Sequence, residues 1–207
     1  MPKQTIAHYH QQAEHFQAQY DSVAAHEVHA DWAYLLAERT PGLALDVGAG
    51  SGRDAHWMAQ KGWLVTAVEP AQGLRELGCR TTGDQVRWAD TQLPLLLDLA
   101  TPAQGYDLIL LSAVWMHLPA AERPQAFARL ADLMAKGGLL IITLRFGPSD
   151  PARPMYPVST EELAQLAAQH GLQLKALNNG GTNADFLQRQ EVSWQTVCIQ
   201  RPAEVQG

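Results

Sequence analysis

The chain has 207 residues, of which 46% are apolar and 17% charged, enough for one sizeable core and inconsistent with an intrinsically disordered chain. Its net charge of −6 gives no general attraction to phosphate backbones or anionic lipid, and no basic run offsets it, so nucleic-acid and membrane partners are disfavoured. Cys79 and Cys198 are too few for a disulfide framework and lack C-x-x-C spacing; with no apolar leader and no stretch of about 18 apolar residues, a soluble cytoplasmic chain is expected.

Ile6, Tyr9, Phe16, Tyr20, Val23, Val28, Trp32, Leu35 and Leu36 recur near helical spacing, which predicts two amphipathic helices broken near Asp21 and Ser22. Residues 1–40 therefore read as an N-terminal helical cover, 41–202 as the main domain and 203–207 as a tail. Leu43 to Val47 is a short apolar strand running into glycines. Asp54 to Lys61 follows as a helix closed by Gly62, then a strand from Trp63 to Val68 ending at Glu69 and Pro70. Leu74 to Arg80 reads as a helix, Val86 to Ala89 as a strand, and Tyr106 to Ser112 as a buried strand. Ala120 to Ala135 is predicted helical and stopped by Gly137 and Gly138 before the strand Leu139 to Leu144. Thr160 to His170 is a helix with acidic residues in its first turn, and strands near Leu172 to Leu177 and Val192 to Gln200 close the chain.

This alternation predicts an α/β fold: a doubly wound, mostly parallel seven-stranded sheet with helices on both faces. The last two strands lack an intervening helix, so they should pair as a hairpin with one strand antiparallel. The loop from Asn178 to Gln190 is long for a hairpin, as a loop covering a site would be.

Asp46-Val47-Gly48-Ala49-Gly50-Ser51-Gly52-Arg53 lies where the first strand meets the first helix. Its glycines permit a sharp turn and close approach of backbone N–H groups to a ligand. A dinucleotide fingerprint counted from Gly48 needs glycine where Arg53 stands, and no Gly-Lys-Ser/Thr follows for a phosphate loop. The D-x-G-x-G-x-G turn resembles that of class I (Rossmann-like) S-adenosylmethionine-dependent methyltransferases of small-molecule type. Four further matches carry the resemblance: Glu69, 17 positions after Gly52; Asp90 after the third strand; the exit of the fourth strand from Leu111 to Pro119; and Lys136-Gly137-Gly138. Together they span about residues 43 to 145, and the closing strands extend the likeness to about residue 200.

The resemblance implies S-adenosylmethionine as cofactor, S-adenosylhomocysteine as product and a small-molecule acceptor, with the chain a monomer or homodimer. It implies a cradle at Asp46, Gly48, Gly50, Ser51, Gly52 and Arg53, with Arg53 serving either structure or ligand. Glu69, followed by Pro70, would accept the ribose hydroxyls, Asp90 with Thr91 would meet the adenine, and Ser112 would stand at the cofactor where the fourth strand ends. His117 is the candidate base, or else packs against the adenosine or caps a turn. Trp115 is a candidate to wall the site or to fill the core. Tyr20, with Tyr9 and Phe16, would close the site or pack on the sheet. Arg145 and Arg153 are expected to hold an anionic group of the substrate, or to form salt bridges with Asp150 or Glu161, and Tyr156 in the same loop is a further candidate to meet the substrate. His26 and His29 have helical spacing but no completing ligands, so the N-terminal histidines read as a polar helix face and no metal is expected. A tRNA or protein acceptor, or a non-catalytic binding module, remain alternatives.

Overall fold

The computed structural model describes residues 1–177 and 181–201; residues 178–180 of the predicted loop, Pro202 and the predicted tail lie outside them. Eight strands form one sheet: β1 (Leu43–Val47), β2 (Leu64–Val68), β3 (Val86–Ala89), β4 (Tyr106–Leu111), β5 (Met134–Phe146), β6 (Gln173–Ala176), the two-residue β7 (Asn183–Ala184) and β8 (Ser193–Gln200). Their order is β3-β2-β1-β4-β5-β8-β6, with β7 beside β8. β1 to β5 pair in parallel, and β8 runs antiparallel to both β5 and β6. The expected hairpin is therefore present, with its second strand inserted between the first and the parallel part of the sheet.

Side chains alternate across the strands, as a period of two requires. Leu45, Ile109, Leu111, Leu140 and Ile142 pack on one face under α6 (Arg123–Leu133) and α7 (Thr160–Gln169), against Phe127, Leu130 and Leu163. Ala44, Leu108, Leu110 and Ile141 pack on the other face under α4 (Arg53–Gln60), with Met58, Trp57 and Trp32. Both faces are thus covered, which explains why the central strands read as continuous apolar runs. β1 is the strand from which the order departs both ways, and its carboxyl end opens the crevice where doubly wound sheets bind ligands.

Two expectations need correction. The N-terminal segment forms three helices, α1 (Lys3–Gln11), α2 (Ala13–Asp21) and the short α3 (Ala25–Val28), followed by a 3-10 turn at Ala33–Leu36. The expected break near Asp21 and Ser22 is present, where α2 ends, but a further one falls at Gln12, where α1 gives way to α2 while Tyr9, Ala13 and Phe16 stay against Ala71, Leu74 and Leu77 of the α5 (Gln72–Thr82) region. The glycines at 137 and 138 do not stop a helix. α6 ends at Leu133, β5 begins at Met134, and the pairing slips from Tyr106↔Met134 to Leu108↔Leu139. The extra residues form a bulge at Lys136–Gly138, and Gly137 supplies the positive φ of 79° that it requires.

Candidate active site

At the end of β1 the chain turns through Gly48, Gly50 and Gly52, all with positive φ. The N–H groups of Gly48 and Ala49 both donate to Val68 O, tying the turn to β2. The N–H of Gly50 instead donates to Glu69 Oε2 at 2.9 Å, while that of Ala71 donates to Glu69 Oε1 at 2.8 Å. Glu69 is buried. Burial pushes its carboxyl up to about 7 and Asp90 adds to the rise, against the two N–H groups and Arg75, which favour the charge.

The turn opens onto a cavity of about 200 Å³ lined by Gly48, Gly50, Ser51, Arg53 and Glu69 on this side. Ser51 Oγ is buried there without a partner, an orphan that a polar ligand would satisfy. Asp46 and Gly52 are not at the wall. Asp46 lies beneath the turn, where burial and the neighbouring Asp54 push its carboxyl well above the ordinary range. A Cβ on Gly52 would come within 2.9 Å of Trp88, so this glycine serves packing between β3 and the start of α4.

Arg53 is held by structure: Nε and Nη2 donate to the two carboxylate oxygens of Asp54 at 2.7 and 3.2 Å, and Nη1 donates to Tyr20 O at 3.0 Å. Asp54 also meets His29, whose Nε2 lies 3.0 Å from Oδ1. Trp32 Nε1–H donates to His29 Nδ1 at 3.1 Å, which leaves the ring proton on Nε2, facing Asp54. Burial would raise Asp54, but His29 and then Arg53 hold it well below the usual carboxylate range. His29 is fully buried, unlike the exposed His10, His15 and His26, so the reading of the N-terminal histidines as one polar face fails at His29. Among the described residues no three His, Cys, Asp or Glu side chains gather as a metal site.

Across the cavity, Ser112 lines the wall just past the end of β4, and the 3-10 helix Trp115–His117 follows. His117 reaches the cavity, but Trp115 does not: its indole is fully buried, edge-on to Phe127 at 6.4 Å between centroids. Burial lowers His117 to about 4, with Arg153 and Arg145 acting in the same direction and the Pro154 carbonyl opposing. Tyr20 lines the cavity too, its ring 3.1 Å from where a Cβ on Gly50 would stand; burial, then Tyr9, push its hydroxyl well up.

Arg145 and Arg153 also line the cavity, with different partners. Arg153 pairs with Asp150 at 3.1 Å and donates from Nη1 to Tyr9 Oη at 3.1 Å. Arg145 is buried, donates from Nη1 to Pro148 O at 3.0 Å and leaves Nε without a partner. Among the described residues no carboxylate forms a salt bridge with it, and burial together with Arg189 and Arg153 lowers its pKa. Of the remaining predicted positions, Pro70, Asp90, Thr91 and Tyr156 are not on the wall. The Asp90 side chain is 66% exposed and paired with Arg75 at 2.8 Å; Tyr156 is tied by its N–H to Met116 O.

The long loop between β6 and β8, read from its length as one that covers a site, lines the cavity with Asp185 and Arg189, and Trp194 at the start of β8 joins them; none of these three residues was named from the sequence. Asp185 accepts from both Arg189 and Trp194 Nε1 at 2.8 Å. The one available signal was the unusual length of that loop.

The family model described as a methyltransferase domain matches residues 16–195. An uncharacterized methyltransferase of Geobacillus sp. strain WCH70 is 25% identical over 133 residues, covering 64% of this chain and 60% of the relative. The chain spans between 48% and 60% of the length of the first three curated relatives it matches. Among solved structures, the 1,6-didemethyltoxoflavin-N1-methyltransferase of Burkholderia thailandensis, with bound 1,6-didemethyltoxoflavin and S-adenosylhomocysteine, superposes with a TM-score of 0.72 at 19% identity, covering 96% of this chain and 87% of that one. The magnesium protoporphyrin IX methyltransferase of Synechocystis PCC 6803, with bound S-adenosylmethionine, gives 0.65 at 21% identity over 86% and 79%. These likenesses establish the fold.

Proposed function

The chain belongs to the methyltransferase domain family, and on that basis we propose that it transfers a methyl group from S-adenosylmethionine to a small acceptor bearing an anionic group, releasing S-adenosylhomocysteine. One observation carries the reading: the glycine turn, the buried Glu69 carboxyl and Arg145, with which no carboxylate pairs among the described residues, line a single cavity at the carboxyl end of β1 and β4. The cofactor supplies a methyl group activated by a sulfonium. Glu69 would take the ribose hydroxyls, since a carboxylate accepts two hydrogen bonds side by side, and Ser51 Oγ and Ser112 offer further polar contacts along the same wall.

Charge supports the anionic acceptor. Arg153 and Arg189 are each matched by an aspartate, Asp150 and Asp185, and Arg145 has none among the described residues. The cluster therefore carries one surplus positive charge, which suits a monoanion such as a carboxylate, held by a guanidinium that is already desolvated. With radiolabelled S-adenosylmethionine and small carboxylate acceptors, label should pass to the acceptor. Arg145→Ala should raise the acceptor KM about tenfold or more, the worth of a charged hydrogen bond, and leave the S-adenosylhomocysteine Kd within about twofold. Equal losses in both constants would remove the acceptor role of Arg145.

A further inference from the structure

Tyr9, on α1, stands between two groups that come from distant parts of the chain. Its hydroxyl oxygen lies 3.0 Å from His117 Nε2 and accepts from Arg153 Nη1 at 3.1 Å. The other ring nitrogen, His117 Nδ1, is 3.1 Å from Pro154 O. A carbonyl oxygen only accepts, so Nδ1 carries the imidazole proton and Nε2 offers its lone pair to the Tyr9 hydroxyl, which donates. The Tyr9 oxygen has two lone pairs. Arg153 occupies one, and the other, which the neighbouring Tyr20 hydroxyl meets in the free protein, is the position a protic acceptor would take over, on a side chain that lines the cavity together with His117.

We propose that Tyr9 is the catalytic proton acceptor of this site and that it passes its own proton to His117, so that the acceptor's nucleophile is a protic group: a hydroxyl, a thiol or an N–H. The proposal rests on the methyl-transfer reading above and specifies its substrate class. When the nucleophile's lone pair bonds the methyl carbon, the electrons of the broken C–S bond stay on sulfur and the nucleophile's proton becomes surplus. That proton moves to Tyr9 Oη as the Tyr9 proton moves to His117 Nε2. The relay ends with a neutral tyrosine and an imidazolium whose Nδ1–H still rests on Pro154 O.

The charged groups around the ring fit this role. In the free protein His117 is neutral at physiological pH, because burial lowers it and Arg153, Arg145 and the N-terminal ammonium act in the same direction. Nε2 is therefore available to accept. An anionic group bound at Arg145 cancels part of that positive field, so the acceptor itself raises the basicity of His117 on arrival. The Arg153 guanidinium, 5.8 Å from the Tyr9 ring centroid and bonded to its oxygen, stabilises negative charge on that oxygen while the two protons move.

The test uses the full chain, S-adenosylmethionine and three acceptors: 4-hydroxybenzoate, 4-mercaptobenzoate and imidazole-4-carboxylate. Wild type is expected to methylate at least one. Tyr9→Phe, which keeps the ring against Phe16, and His117→Gln should each lower kcat about a hundredfold, the usual scale of general-base help, with the calorimetric Kd for S-adenosylhomocysteine unchanged within about twofold. At saturating cofactor, wild-type kcat should be level between pH 6 and 8, whereas the residual kcat of Tyr9→Phe should climb with pH as hydroxide takes over the proton. Nitrogen-15 spectra of His117 in the S-adenosylhomocysteine complex should show the proton on Nδ1. Tyr9→Phe with wild-type kcat, parallel losses of kcat and affinity with an unchanged pH profile, or a proton on Nε2 would each overturn the relay. Wild type that binds S-adenosylhomocysteine but methylates none of the three would overturn the protic assignment, while absence of S-adenosylhomocysteine binding would remove the methyl-transfer reading beneath it.

Discussion

Glu69 is a carboxyl whose ordinary pKa of 4.5 is raised to about 7 by burial. The sign follows from proton binding. Between those values the folded chain holds a proton that the unfolded chain releases, so this group destabilises the fold above pH 7 and ceases to do so as pH falls toward 4.5. With Glu69 in its proposed role, ligand binding would have the opposite preference, since ribose hydroxyls donate to the ionised form. The competent fraction is about one tenth at pH 6 and about nine tenths at pH 8, so calorimetry should find the S-adenosylhomocysteine Kd about tenfold weaker at pH 6 than at pH 8. Glu69→Gln should bind more weakly and lose that dependence; a wild-type Kd that is flat over this range would mean the carboxyl does not meet the ligand. Glu69 was readable in the sequence because a strand end and a fixed spacing place it. Trp115 was not, because nothing local says which way an aromatic ring turns after a strand; the structure sends it into the core beside Phe127. The Tyr9–His117 contact joins residues 108 apart, and only the tertiary fold reveals such a pairing.

At the scale of elements, the N-terminal helices are fastened over the cavity by a few specific ties. Arg53 holds the Tyr20 carbonyl near the end of α2, Asp54 holds His29 just past α3, and Tyr9 on α1 reaches His117 and Arg153. β7 adds a tie from the other side, where Asn183 Nδ2 donates to Asp31 Oδ2. His29→Ala would leave Trp32 Nε1 without its acceptor and Asp54 without the imidazole N–H that faces it. A stability loss of about 1 to 3 kcal/mol is expected in urea unfolding, the scale of leaving buried hydrogen-bonding groups without partners; a loss below about 0.5 kcal/mol would show that the contact is not a fastening. The apolar cluster under α1 and α2 is separate from the two that sandwich the sheet, so these two helices are the part of the cover free to loosen independently. Amide exchange in residues 3–21 should slow when S-adenosylhomocysteine binds while β1, β4 and β5 stay unchanged, and uniform slowing across the sheet would contradict an independent cover. Periodicity located this helical segment but missed its break at Gln12, because apolar spacing continues across that break. The glycine pair at 137 and 138 was misread for a related reason: glycine marks a bulge as readily as a helix end, and only the neighbouring strand decides.

For the molecule as a whole, the alternation of strands and helices was plain in the sequence because buried parallel strands leave uninterrupted apolar runs. The insertion of β8 between β5 and β6 is a matter of topology that no local pattern records. The acidity noted at the outset acquires a local exception at Arg145, Arg153 and Arg189 on the cavity wall. In the proposed function the β1 turn, Glu69 and the cover together bind an adenosylated sulfur cofactor. Isothermal titration of the full chain with S-adenosylhomocysteine measures this most directly. One molecule bound per chain, with Glu69→Ala weaker by roughly 1 to 3 kcal/mol, is the predicted result. No heat and no thermal shift at millimolar ligand would contradict it.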